Sequence, residues 1–304
     1  MSAFFYSHST QSLRKHFPPR HHDAHKYDFG RVLSICGSER FPGAAVFAAR
    51  AAMLSGAGLV RAAFPRAAYA AIAPRLAESV LLPLPGNTQG QLAKGALDEL
   101  LPACEKADAV LLGCGLGQSP DTEALVTELI EKCSAPLILD ADALNLISGK
   151  LNLLSGRKAH TILTPHAGEF ARLTGSPVGN TDIERLHAVH EFASKYNVTL
   201  VLKGAGTLVA HSHSRAVYKN KTGNPAMATA GSGDMLAGIL LSFCGQGLPA
   251  RTAAECAVLV HGLCGDTVLA GTMAQRSLTP SAMLRALPSV MAMVEGKENR
   301  RLLF

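Results

Sequence analysis

The sequence predicts an α/β protein in three layers, helix, sheet and helix, around a mostly parallel central sheet. Short apolar runs alternate with longer amphipathic ones along most of the 304 residues. Polar or glycine-rich loops follow many of the apolar runs, as they do where parallel strands end at a ligand crevice. Apolar residues make up 48% of the chain, enough to cover such a sheet on both faces. No internal repeat or low-complexity linker divides the chain, so one domain over 30–304 is expected, behind a polar extension at 1–29.

The extension is rich in His and Pro. Its HHDAH run (21–25) has no regular scaffold, and a solvated loop is the expectation there rather than a metal site. Strands are expected at RVLSIC (31–36), GLVRAAF (58–64), VLLPL (80–84), AVLLG (109–113), PLILD (136–140), HTILT (160–164), TLVLK (199–203) and TLVAH (207–211). Between most of them lie helical patterns at 43–56, 67–78, 89–106, 120–133 and 181–197. This alternation implies right-handed βαβ crossovers. Beyond Lys221 the pattern changes to three consecutive helices, starting near Gly231, Arg251 and Thr279.

Composition narrows the function. The net charge of +6 favours anionic partners. Lys and Arg are scattered and Trp is absent, so small phosphorylated ligands fit better than a nucleic acid. Seven cysteines without a C-x-x-C pair read as small core residues in a reducing compartment. The N-terminus lacks the pattern of a secretory signal, and apolar stretches are interrupted short of a membrane span. The expectation is a soluble, cytoplasmic protein.

Five loops carry candidate chemistry. CGLGQSPDT (114–122) opens a helix near Pro120 and serves equally as a tight turn. ADALN brings Asp140, Asp142 and Asn145 to a strand end; helix capping accounts well for Asp142 and less obviously for Asp140. In PHAGEF, His166 and Glu169 stand one helical turn apart, where they could face a common ligand or form a surface turn. Lys203 opens KGAGT at a strand exit, as a phosphate contact or a solvated end. In ATAGSGDMLAG (228–238) a glycine turn feeds a helix N-terminus, an anion site by its free N–H groups and dipole. Asp234 there reads equally as a helix cap or as a base beside that anion. No loop matches the Walker pattern or gives a convincing G-x-G-x-x-G, which disfavours a standard P-loop NTPase or Rossmann dehydrogenase.

Together, FPGAAVFAARAAMLSGAGLVRAAFP, GCGLG, LILDADALN, LTPHAGEF, VLKGAGT and NPAMATAGSGDMLAG closely resemble the ADP-dependent NAD(P)H-hydrate dehydratase family of the ribokinase-like superfamily. The resemblance runs in the family's order from about His25 to the C-terminal helices. It implies a ribokinase-like fold and a lyase that repairs the S epimer of hydrated NADH or NADPH, consuming ADP, or ATP in eukaryotic relatives. Ala44, Gly117, His166 and Asp234 match positions lining the hydrated-dinucleotide site. Lys203, Gly204, Ala205, Gly206 and Thr207, with Gly233, match the segment that holds the AMP part of the nucleotide.

On this resemblance Asp234 is the general base. The N–H groups of Ala230, Gly231, Ser232 and Gly233 form the anion hole. A Mg²⁺ bridging the phosphates is expected, oriented through water by Glu169 and Asp140. Relatives are often tetrameric, which implies a homo-oligomer. The chain leaves no room for the epimerase domain that precedes some relatives, so a stand-alone dehydratase is expected. CGS (36–38) and AGSGD depart modestly from the common GGS and GGTGD, and SLTPSAMLRALP departs more. A ribokinase-like alcohol kinase and a non-catalytic nucleotide-binding protein are the alternatives.

Overall fold

The computed structural model describes residues 3–271 and 273–296; the last part of the expected domain, 297–304, lies outside them. Ten strands form one sheet in the order β1-β10-β9-β8-β7-β6-β5-β2-β3-β4. They are β1 (Phe4–Tyr6), β2 (Arg31–Ile35), β3 (Leu59–Pro65), β4 (Val80–Leu84), β5 (Ala109–Leu112), β6 (Leu137–Leu139), β7 (Thr161–Leu163), β8 (Thr199–Leu202), β9 (Leu208–His211) and β10 (Ala216–Lys219). β2 to β8 pair in parallel, β9 runs antiparallel to both β8 and β10, and β1 joins β10 in parallel. All eight expected strands are present.

The apolar runs are continuous because successive side chains enter different cores. Val32, Ile138 and Val201 face one core; Leu33, Leu139 and Leu202 face the other. The first core is closed by the helices Pro42–Leu54, Ser232–Gly245, Ala250–Ala270 and Pro280–Val294, the second by Leu97–Glu105, Pro120–Lys132, Ala167–Thr174 and Asp182–Tyr196. The three-layer α/β/α architecture follows. Small residues bring the first set together: a Cβ on Gly238 would run into the Ala48 carbonyl, so Ser232–Gly245 packs directly on the backbone of Pro42–Leu54.

Two expected helices are shorter than their patterns. Around 67–78 the backbone makes a four-residue helix, Tyr69–Ile72, flanked by 3₁₀ turns, the second of which contains Pro74. In 89–106 only Leu97–Glu105 is α-helical; ahead of it Gly90 takes a positive φ. The Ala250–Ala270 helix is long and apolar enough, by length and composition, to cross a membrane. It nevertheless packs as a core helix, with Glu255 buried in it.

Two strands have no counterpart among the expectations. Phe4–Tyr6 and Ala216–Lys219 are three and four residues long, too short to show a period. Side chains fasten β1. The Tyr6 hydroxyl donates to Glu255, Arg251 Nη2 donates to the Tyr6 oxygen at 2.6 Å, and His8 Nε2 lies 2.6 Å from Glu255 Oε2. Leu13 and Phe17 are buried in the first core, while His21, His22 and His25 are exposed, as expected. All seven cysteines are free and buried.

Candidate active site

The five loops meet at the carboxyl ends of the parallel strands. Asp140, leaving β6, is 2% exposed. Its Oδ1 accepts from Lys203 Nζ at 2.7 Å, at the exit of β8. Glu169, 5% exposed, places Oε2 3.6 Å from the same nitrogen. Burial alone would lower the Lys203 pKa, yet Asp140 and Glu169 hold it above its ordinary value. The two carboxylates expected to orient a metal do come together, but what they share is this ammonium. Lys203 itself points inward, rather than along the exposed turn that follows it.

Asp234 sits in the first turn of Ser232–Gly245. The N-cap is Gly231, at φ 90°, a conformation only glycine adopts readily, and no side chain caps the helix. The cap reading of Asp234 therefore falls away. Its carboxylate instead belongs to a group in which Cys114 Sγ, Asp140 and Asp234 each place a polar atom within 4.8 Å of the others. Burial pushes the Asp234 pKa up to about 6, Asp140 adds to this, and Lys203 and the Cys114 thiol partly offset it. At neutral pH such a carboxyl is mostly ionised yet basic enough to accept a proton.

Asp142 differs from its expected role. Ala141 is the N-cap of its helix, and the Asp142 carboxylate spans to the glycine loop, accepting from Gly117 N at 2.8 Å and Gln118 Nε2 at 2.9 Å. Between the two aspartates Ala141 adopts φ 51°, ψ −116°, a strained geometry that turns their side chains to different tasks. Ala44 faces Gly115 of the same loop so closely that a side chain at 115 would overlap its Cβ.

His166 caps its own helix. Nδ1 accepts from Gly168 N at 3.0 Å and Glu169 N at 3.2 Å, while Glu169 Oε2 accepts from His166 N at 2.8 Å. With Nδ1 engaged as acceptor, the ring proton is assigned to Nε2. The turn Gly204 to Thr207 links β8 to β9 and is tied by Thr207 Oγ1 donating to Gly204 O at 2.9 Å. In the glycine turn ahead of Asp234 the Ser232 N–H donates to Thr229 O at 3.2 Å. That leaves Ala230, Gly231 and Gly233 as its main-chain donors.

Three contributions escaped the sequence reading. His261, inside Ala250–Ala270, places Nε2 3.2 Å from Ser232 Oγ, and burial pulls its pKa down to about 4, so it is neutral. Asp266, five residues on, accepts from Gly223 N at 2.8 Å and Asn224 Nδ2 at 3.0 Å, fixing the segment that leads into the glycine turn. Cys114 stood in a quoted motif, GCGLG, without being weighed as a polar group. The spacing of His261 and Asp266 in HGLCGD was the available signal, hidden in a strongly apolar helix. Cavities of about 760 and 660 Å³ open elsewhere, lined by residues such as Arg31, Asp108 and Gln246, away from this cluster.

A parallel α/β sheet whose carboxyl edge meets a glycine turn, a helix N-terminus and a half-buried aspartate defines a ribokinase-like protein. The family model described as NAD(P)H-hydrate dehydratase matches residues 32–289, and the chain belongs to that family. It is 36% identical to the ADP-dependent (S)-NAD(P)H-hydrate dehydratase of Xanthomonas campestris, over 85% of this chain and 86% of that one. It is 40% identical to the bifunctional NAD(P)H-hydrate repair enzyme of Moorella thermoacetica, over 93% of this chain and 53% of that one, so it spans about half the length of such bifunctional relatives. Among solved structures, the ADP/ATP-dependent NAD(P)H-hydrate dehydratase of Bacillus subtilis, co-crystallised with ATP/Mg²⁺, superposes with a TM-score of 0.79 at 28% identity, covering 97% of this chain and 100% of that one. A ribokinase-like protein of Enterococcus faecalis gives 0.81 at 28%, covering 95% and 96%.

Proposed function

We propose that this chain is an ADP-dependent (S)-NAD(P)H-hydrate dehydratase. The observation that carries the reading is the match of residues 32–289 to the NAD(P)H-hydrate dehydratase family; Asp234, at the mouth of the glycine turn, is the base the reaction needs. The hydroxyl on the hydrated nicotinamide ring is a poor leaving group. Asp234 takes its proton while its oxygen attacks the β-phosphorus of ADP, and AMP departs. The resulting phosphate ester eliminates inorganic phosphate, which restores the ring's conjugation. Donors at Ala230, Gly231 and Gly233 steady the charge on the phosphoryl oxygens during transfer.

In this reading Ala44, Gly117 and His166 border the dinucleotide. The Gly204–Thr207 turn and Gly233 border the AMP portion, with Lys203 neutralising the floor between them. The residues do not build a resident Mg²⁺ cage: Glu169 and one oxygen of Asp140 face Lys203, and the donors that remain, the other Asp140 oxygen and Asp234, are grouped with the Cys114 thiol, which Mg²⁺ does not favour. Mg²⁺ accordingly comes with the nucleotide, held by its phosphates. Buried free thiols support a reducing, cytoplasmic setting, and the resemblance supports a homotetramer.

The test incubates hydrated NADH or NADPH with the protein and ADP, or ATP in parallel. It follows the near-ultraviolet absorbance of the reduced nicotinamide together with release of inorganic phosphate. Nucleotide-dependent recovery with stoichiometric phosphate is expected. A stable phosphate ester would identify an alcohol kinase instead, and no nucleotide-dependent change would leave a binding protein.

A further inference from the structure

The floor of the site holds a donor set of which phosphoryl transfer uses only the Asp234 carboxylate. Cys114 Sγ lies 3.5 Å from Asp140 Oδ2 and within 4.8 Å of an Asp234 oxygen. Cys36, just past the end of the neighbouring strand, is fully buried like Cys114 but stands outside that donor group. We propose that Cys114, Asp140 and Asp234 form a binding site for a thiophilic divalent cation such as Zn²⁺.

The spacing suits that ion. A Zn–S bond of ~2.3 Å and a Zn–O bond of ~2.1 Å at a tetrahedral angle separate sulfur from oxygen by about 3.6 Å. The observed separation is 3.5 Å, and the third donor lies within 4.8 Å of both. A water completes four-coordination.

Charge supports it as well. Two carboxylates and one thiolate around Zn²⁺ leave a single negative charge, and Lys203, on the other oxygen of Asp140, offsets it. A charged partner on the far oxygen of a ligating carboxylate is the usual outer-shell arrangement. Binding displaces the Cys114 proton, and the soft sulfur selects zinc or cadmium over magnesium. Because Asp234 becomes a ligand, the occupied site has lost its base. This inhibitory consequence rests on the function proposed above, whereas the binding itself does not.

The experiment adds Cd²⁺, a spectroscopic stand-in for zinc, to the chelator-treated protein without substrate. The cadmium–thiolate charge-transfer absorbance is followed for wild type, Cys114→Ser and Asp234→Asn, with circular dichroism as the folding control. A band saturating at one equivalent is expected in wild type, absent from Cys114→Ser and needing roughly 10-fold more Cd²⁺ or beyond in Asp234→Asn. Cys104 and Cys133 also neighbour one another, so Cys133→Ser is run in parallel and should keep the band. No band in wild type, or a band that survives Cys114→Ser and vanishes in Cys133→Ser, overturns the proposal. Should Cys114→Ser fail to fold, an unchanged Cd²⁺ affinity in Asp234→Asn overturns it equally. Zn²⁺ should also inhibit turnover reversibly. Binding without any turnover in the absence of Zn²⁺ would refute the dehydratase reading alone.

Discussion

Lys203 Nζ donates to Asp140 Oδ1 at 2.7 Å, joining the exits of β6 and β8 beneath the site. Glu169 stands 3.6 Å away on the other side of the ammonium. Removing the cation leaves two buried carboxylates without the ammonium that neutralises them. Lys203→Met should therefore lower stability by about 3–5 kcal/mol. Lys203→Met/Asp140→Asn should recover part of the loss. Urea unfolding of the three proteins checks this, and an undiminished midpoint in the single variant would refute it.

Asp234 carries a stability cost that its replacement should expose. Its folded-state pKa, about 6, lies above the ordinary 3.8, so the folded protein binds the proton more tightly than the unfolded chain. Stability then falls as pH rises from about 3.8 to 6, and the full cost persists above that range. Asp234→Asn should thus be more stable than wild type at pH 8, by on the order of 2–3 kcal/mol, and about equal to it near pH 3. The same variant should lose about 10²–10⁴-fold in turnover. Thermal melts at both pH values and the dehydration assay measure the two effects.

The acid limb of kcat/KM should fall near pH 6, where Asp234 gains its proton. Asp140→Asn removes a charge that raises this pKa and frees Lys203, which lowers it. Both changes move the limb to lower pH. A limb that stays in place would mean that another group titrates.

His261 and Ser232 should act as a unit. The imidazole Nε2 lies 3.2 Å from Ser232 Oγ and fixes the direction of that hydroxyl at the start of the helix. His261→Phe, Ser232→Ala and the double variant form a cycle read in kcat and KM. A coupling of about 0.5–3 kcal/mol in the transition-state term is expected; strictly additive effects would separate the two residues.

Much of this was legible because apolar period and turn chemistry are local. The parallel strands, the long helices and the loops carrying Asp140, His166, Glu169, Lys203 and Asp234 each announce themselves over a few residues. Partnership across the sheet does not. Nothing near Lys203 in sequence says that it turns inward to Asp140, 63 residues away. Asp142 matched a capping pattern, yet the residue its carboxylate reaches, Gly117, belongs to another loop. His261 was masked by the apolar helix around it. The strands β1 and β10 were too short to carry a pattern, and β1 exists through pairing and the Tyr6–Glu255–Arg251 contacts, which span some 245 residues or more.

That small first strand also covers a border of the sheet. Along Ala216–Lys219 it occupies hydrogen-bonding groups that would otherwise present an open template to any extended chain. Deleting Phe4–Tyr6, or loosening it by Arg251→Ala, would uncover that border far from the chemistry. The damage would first be seen as aggregation on storage, before any loss of catalytic competence in the protein that stays in solution.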